Sequence, residues 1–186
     1  MRRLLLIRHA STDSVRRAAF PADEPLDDAG RAAARVLVGR LGRGDALCSP
    51  ALRARETAAA AALDAAVEPA LGECDFGTWS GLTLAQVHEK DPEGAGAWMT
   101  NPHACPHGGE TLADLLERVG EWLDRQARAS GRGIAVTHGG VVKAAVVHAL
   151  AAPPAAFWQV DVAPLALAEL HAHDGRWTLT RLGTAA

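Results

Sequence analysis

The strongest constraint in this sequence is a run of four aliphatic residues that ends abruptly in a cation and an imidazole: Leu4-Leu5-Leu6-Ile7-Arg8-His9-Ala10. Four residues are too few for a membrane span but suit a buried strand. A strand covered on both faces reads as a continuous apolar run, without alternation. In an open α/β sheet, ligands bind outside the carboxyl ends of the strands, so Arg8 and His9 fall where a substrate is met. The pattern returns far down the chain, where Gly133-Ile134-Ala135-Val136-Thr137 runs into His138 and then Gly139-Gly140. Strand ends at one edge of a sheet can bring two such imidazoles together.

Between these strands the periodicity changes. Asp27-Asp28 open a helix whose Ala33, Val36, Leu37 and Leu41 share one face, and Gly42 and Gly44 close it. Ser11 to Pro25 reads as a polar loop. Ala46-Leu47-Cys48 predicts a short buried strand, and Ser49-Pro50 a cap and first turn for a helix reaching about Leu63. Val67 to Leu71 suggests another strand. Regular signals thin out from Gly72 to Gly109, apart from a short helix around Thr83–Glu89; a stretch this long inside a compact domain is usually a lid or binding loop. Thr111 and Asp114 form a capping-box signature before the stripe Leu112, Leu115, Leu116, Val119, Trp122, Leu123. An apolar helix follows from Val141 to Leu150. Leu165–Ala172 and Arg176–Leu182 are strands joined by Asp174-Gly175, a hairpin signal. Strands separated by helices predict a three-layer α/β/α sandwich with a mostly parallel central sheet and an antiparallel C-terminal strand pair. At 186 residues, one domain over 1–186 is expected.

Composition removes several classes of function. A formal charge of −3 disfavours a nucleic-acid partner, which selects a basic surface. Charge returns at Arg8 before a signal-peptide apolar region is complete, and no stretch approaches a transmembrane length. Cys48, Cys74 and Cys105 are odd in number and widely spaced, as reduced thiols are. The expectation is a cytoplasmic enzyme with no membrane partner; the sequence leaves the oligomeric state open.

Phosphoryl transfer needs a nucleophile, positioning and charge neutralisation, and little else from the protein. An arginine fork can hold two phosphoryl oxygens at once, and bare amides at Gly139-Gly140-Val141 can approach an anion. Neighbouring guanidinium groups keep an imidazole neutral and so able to attack. His9 thus reads as a phosphoryl-accepting nucleophile and Arg8 as half of a phosphate clamp.

At these residues the chain resembles the histidine phosphatase, or phosphoglycerate mutase-like, superfamily. Leu6-Ile7-Arg8-His9-Ala10-Ser11-Thr12 is similar to its Arg-His-Gly signature, and Leu26-Asp27-Asp28-Ala29-Gly30 to its Leu-Thr-x-x-Gly helix entry. Cys48 to Ala58 is similar to its Ser-x-Leu-x-Arg-x-x-Gln-Thr-Ala segment, and Leu71 to Gly81 to its Leu-x-Glu-x-x-x-Gly-x-Trp-x-Gly stretch. Gly109-Glu110-Thr111 and Thr137-His138-Gly139-Gly140 resemble its later elements, in the family's order. The resemblance implies His9, Glu73 and His138 as catalytic residues, Glu73 being the proton donor. It implies Arg8, Arg53, Thr12 and Gly139 at the substrate phosphate, with no cofactor and no metal. Ala10 stands where Gly is usual, Ser11 where Glu or Gln is usual, and Val15 where mutase-like members often carry a phosphate-contacting Asn.

Other residues have weaker positions. Asp75 and Glu110 compete with Glu73 for the acid role, and Glu110 also suits the start of the next helix. His107, Glu110 and Ser11 are possible substrate contacts, and Arg16 and Arg17 could meet a second anionic group. His103, Cys105 and His107 lack the separated ligand pair of a zinc site. Trp98 is the tryptophan best placed for an active-site mouth. The implied reaction is hydrolysis of a small phosphomonoester through a phosphohistidine, the substrate being of sugar phosphate, nucleotide or α-ribazole phosphate type. The alternatives are a phosphoglycerate mutase-type isomerase, disfavoured by the short chain, and a non-catalytic phosphate-binding module.

Overall fold

The computed structural model describes residues 1–184. The chain runs β1 (Arg2–Arg8), α1 (Asp13–Arg16), α2 (Asp28–Arg35), β2 (Asp45–Cys48), α3 (Leu52–Ala60), β3 (Ala66–Val67), α4 (Leu84–Lys90), α5 (Pro92–Thr100), α6 (Leu112–Ala127), β4 (Gly131–Thr137), α7 (Gly139–Ala149), β5 (Ala166–His173) and β6 (Arg176–Thr184). The six strands form one sheet in the order β3-β2-β4-β1-β5-β6. β3, β2, β4 and β1 run parallel, while β5 adds antiparallel to β1 and β6 antiparallel to β5. This is the predicted α/β architecture.

The continuous apolar run of β1 follows from its place between β4 and β5, with both faces covered. Leu4 and Leu6 face a core shared with Leu115, Val119, Trp122 and Leu123 of α6 and Val141 and Val142 of α7. Leu5 and Ile7 face the opposite layer, with Leu37, Leu41 and Ala61. Alternate side chains of one strand therefore feed two cores, as the period of two requires. At the far edge, Asp174 and Gly175 both have positive φ, the backbone of a type I′ hairpin turn.

Several expectations need correction. β3 ends at Val67, because Pro69 has no N–H for the sheet ladder; residues Pro69–Leu71 form a 3-10 turn capped by Glu68. α3 starts at Leu52, two residues later than Ser49-Pro50 implied, and has no side-chain cap. α2 stops at Arg35, although Leu37 and Leu41 remain buried in the turns beyond. The Gly72–Gly109 region holds α5 as well as the expected α4; two glycines mask α5, but Asp91 caps it ahead of Pro92. The polar loop after β1 contains α1, capped by Thr12. No helix among the described residues is long and apolar enough to cross a membrane.

Candidate active site

Strand register brings the two histidines together. Arg8 is paired with Thr137, the last residue of β4, so His9 and His138 leave adjacent parallel strands side by side. The His9 amide donates to the Thr137 carbonyl at 2.8 Å, and the two rings meet edge-on with centroids 5.1 Å apart. On the other side of β4, Cys48 pairs with Val136 and Ser49 donates its amide to the Val136 carbonyl. Three neighbouring strand ends thus deliver Ser49, His138 and Arg8-His9 to one place.

Hydrogen bonds fix both tautomers. His9 Nδ1 lies 2.7 Å from the Ala10 carbonyl, which can only accept, so Nδ1 carries the proton and Nε2 the lone pair. The Nε–H of Arg53 donates to that Nε2 at 3.3 Å. Arg53 also donates to His138 Nδ1 at 3.2 Å and to the Ala22 carbonyl at 2.8 Å. Because a guanidinium only donates, neutral His138 must carry its proton on Nε2, 2.7 Å from Ser49 Oγ. Both rings are almost wholly buried. Burial, reinforced by the Arg53 charge, drives His9 down to about 3; the Ala10 carbonyl opposes this and Arg8 adds to it. His138 is held well below its ordinary value by burial, then by Arg53, His9 and Arg8. Both imidazoles are neutral at physiological pH.

The remaining charges are set by the layer containing α7. Arg8 reaches the Val162 carbonyl at 2.6 Å and lies against the backbone of Gly139, while its own Nε has no partner among the described residues. Glu73 follows the 3-10 turn, whose Leu71 carbonyl accepts from Thr137 Oγ1 at 2.7 Å. Its carboxylate accepts from the Gly140 amide at the start of α7 at 3.3 Å and from Cys74 at 3.0 Å. A Cβ on Gly140 would lie 2.3 Å from Glu73 Oε1, so this contact requires glycine. Arg118 of α6 anchors the same turn, donating to the carbonyls of Ala70 and Gly72.

Two cavities meet at Glu73. The first, about 330 Å³, is lined by Arg8, His9, Glu73, Gly139 and Gly140, with Val15, Trp98, Phe157 and Trp158 among its apolar walls. The second, about 370 Å³, opens onto Arg53, Ser49, Asp23 and Asp75. His9, His138, Arg8, Arg53, Glu73 and Gly139 are therefore gathered in one site. Ala10 is accommodated because its φ is not positive, and its amide donates to Thr57 Oγ1.

Other expected contacts lie elsewhere. Thr12 is fully buried, and its hydroxyl caps α1 and donates to Glu24 at 3.1 Å. Ser11 donates to Asp27, and Glu110 grips Arg118 with both oxygens at 2.8 Å. His107 does not line either cavity: it is buried against Phe76, Trp79 and Trp98, with Nδ1 accepting from Gly109. Arg16 and Arg17 are exposed and paired with Asp13. Trp98 does line the first cavity.

Sequence reasoning missed several polar residues. Ser49 was assigned to a helix cap, but its hydroxyl meets His138. Glu24, Lys143 and Asp161 line the first cavity, and Glu24 Oε2 is buried without a partner among the described residues. Two left a signal: Ser49 lies in the family-like segment from Cys48 to Ala58, and Lys143 is one of two lysines among 19 basic residues, inside a mostly apolar helix.

The family model of the histidine phosphatase superfamily (branch 1) matches residues 4–185. The chain belongs to that superfamily. A protein of Mycobacterium tuberculosis named as bifunctional is 36% identical over 187 residues, covering 93% of this chain and 51% of that protein. The chain thus spans about half the length of that relative. Phosphoserine phosphatase 1 of Hydrogenobacter thermophilus is 29% identical, covering 98% of this chain and 92% of the relative. Among solved structures, a mycobacterial glucosyl-3-phosphoglycerate phosphatase complexed with VO3 superposes with a TM-score of 0.86 at 26% identity, covering 99% of this chain and 100% of that one. The histidine phosphatase fold is common to these proteins, and the relatives named for an activity are phosphatases acting on different substrates.

Proposed function

We propose that this histidine phosphatase superfamily member is a metal-independent phosphomonoesterase working through a phosphohistidine on His9. The observation that carries the reading is the lone pair on His9 Nε2, kept unprotonated by burial and by Arg53 and Arg8. Arg8 and Arg53 grip the phosphoryl oxygens, which displace the Arg53 donors from His9 and His138. The amide of Gly139, at the helix start, adds a donor. Nε2 attacks phosphorus in line, the P–O ester bond breaks, and Glu73 gives its proton to the departing alkoxide. Glu73, now ionised, takes a proton from water as that water attacks phosphorus, releasing phosphate and restoring His9.

His138 positions Arg53 in the free protein through Nδ1, and its Nε2–H stays committed to Ser49 Oγ. The relatives' names favour hydrolysis over isomerisation. The substrate is a small phosphorylated metabolite, and residues 1–186 act as one catalytic domain.

The test is turnover of a panel of phosphomonoesters in chelator, followed by a search for acid-labile, alkali-stable phosphate on the protein. Wild type is expected to hydrolyse and to trap phosphate; His9→Ala is expected to do neither while unfolding at a similar temperature. Turnover retained by His9→Ala would remove the nucleophile assignment, and turnover abolished by chelator would remove the metal-free mechanism.

A further inference from the structure

Lys143 is the one cation of the first cavity that the proposed mechanism leaves unused. It lies one turn beyond Gly139-Gly140 on α7, between buried Val141, Val142, Ala144 and Ala145. Long helical side chains point back toward the N-terminus of their helix, which carries this ammonium toward the cavity. Its Nζ stands 5.3 Å from the centroid of the Phe157 ring. Among the described residues no carboxylate comes within 4.0 Å of it, although Asp161 and Glu73 line the same cavity. Burial lowers its affinity for its proton, opposed by the charges of Asp161 and Glu73 and assisted by Arg8. Arg53 opens onto the neighbouring cavity and Lys143 onto the first alone. These two cations therefore meet different parts of a bound ester.

A half-buried ammonium with no anion beside it, among walls that include Leu112, Leu115, Phe157 and Val162, invites an anion from the ligand. One ammonium near two protein carboxylates suits a singly charged group better than a second phosphate. We propose that Lys143 is a specificity residue that binds a carboxylate on the alcohol portion of the substrate, making phosphorylated hydroxy acids the preferred class. This rests on the phosphatase reading above, and deepens it by naming what the ester must carry besides phosphate.

A matched pair of ligands isolates the contact: 3-phosphoglycerate and glycerol 3-phosphate have the same three-carbon frame, with carboxylate in one and hydroxymethyl in the other. Binding is measured by calorimetry on the His9→Ala protein, so that turnover does not interfere. 3-Phosphoglycerate is expected to bind roughly 10- to 100-fold more tightly, the range of one hydrogen bond to a charged group. Adding Lys143→Met, or Lys143→Gln if the first variant does not fold, is expected to erase that ratio, and Lys143→Arg to keep most of it. Equal affinity of the two ligands before the lysine is changed, a ratio that survives its removal, or a parallel loss for both ligands would each overturn the proposal. Failure of the phosphatase reading is read separately, as the absence of p-nitrophenyl phosphate hydrolysis by the unsubstituted protein.

Discussion

His9 and His138 are held neutral by the same environment that makes His9 Nε2 reactive, and this has a consequence for stability. The His9 value near 3 lies below the unfolded value of about 6.5. Between those two values the unfolded chain binds a proton that the folded chain refuses, so stability falls as pH falls through that window. The sign is opposite to that of a histidine stabilised by an acidic partner. His138, also depressed, adds to it. Each such histidine contributes a slope of at most about 1.4 kcal/mol per pH unit. The melting temperature, followed by calorimetry from pH 7 to pH 4, is expected to decline less steeply in His9→Ala than in wild type. Parallel profiles would show that His9 is protonated in the folded state.

At the scale of elements, the start of α7 sets the position of the acid. The Gly140 amide donates to Glu73, and the space a Cβ would need is filled by that carboxylate. Gly140→Ala is therefore expected to displace Glu73 while the buried helix persists. In kcat/KM, which ends at formation of the phosphohistidine and so excludes the later water attack, the loss is up to roughly 100-fold for alkyl phosphates. p-Nitrophenyl phosphate, whose leaving group needs no proton, is expected to be much less affected. Steady-state kinetics on the two ester types decides this, and an equal loss on both would mean that Glu73 is not the donor. The elements themselves differed in how plainly their sequence declared them. The Thr111–Asp114 capping box and the α6 stripe were legible because cap and period coincide. The start of α3 was not: the Ser49 hydroxyl accepts from the Ala51 amide and meets His138, and the Leu52 amide donates to Asp23, a residue remote in the chain.

In the whole molecule, β1 separates two cores, and the larger one supports the site through α6 and α7. Trp122 is fully buried at the centre of that core. Trp122→Ala is expected to cost about 3–5 kcal/mol of folding stability, measured by urea denaturation, since the cavity cannot close around a rigid sheet. A cost below about 1 kcal/mol, the size of a surface change, would mean that α6 moves freely over the sheet. Local order in the sequence was enough to determine the aliphatic strands, their terminal histidines, the hairpin at Asp174-Gly175 and the layered α/β class, because burial and turn chemistry act over a few residues. It could not determine which polar side chains meet. His107 and Glu110 lie in or near the family-like motifs yet turn into an aromatic cluster and an ion pair, whereas Glu24, Lys143 and Asp161 reach the site from outside those motifs. Those encounters depend on strand register and on the packing of α7 over the sheet, which bring together groups whose spacing along the chain carries no information about their distance in space.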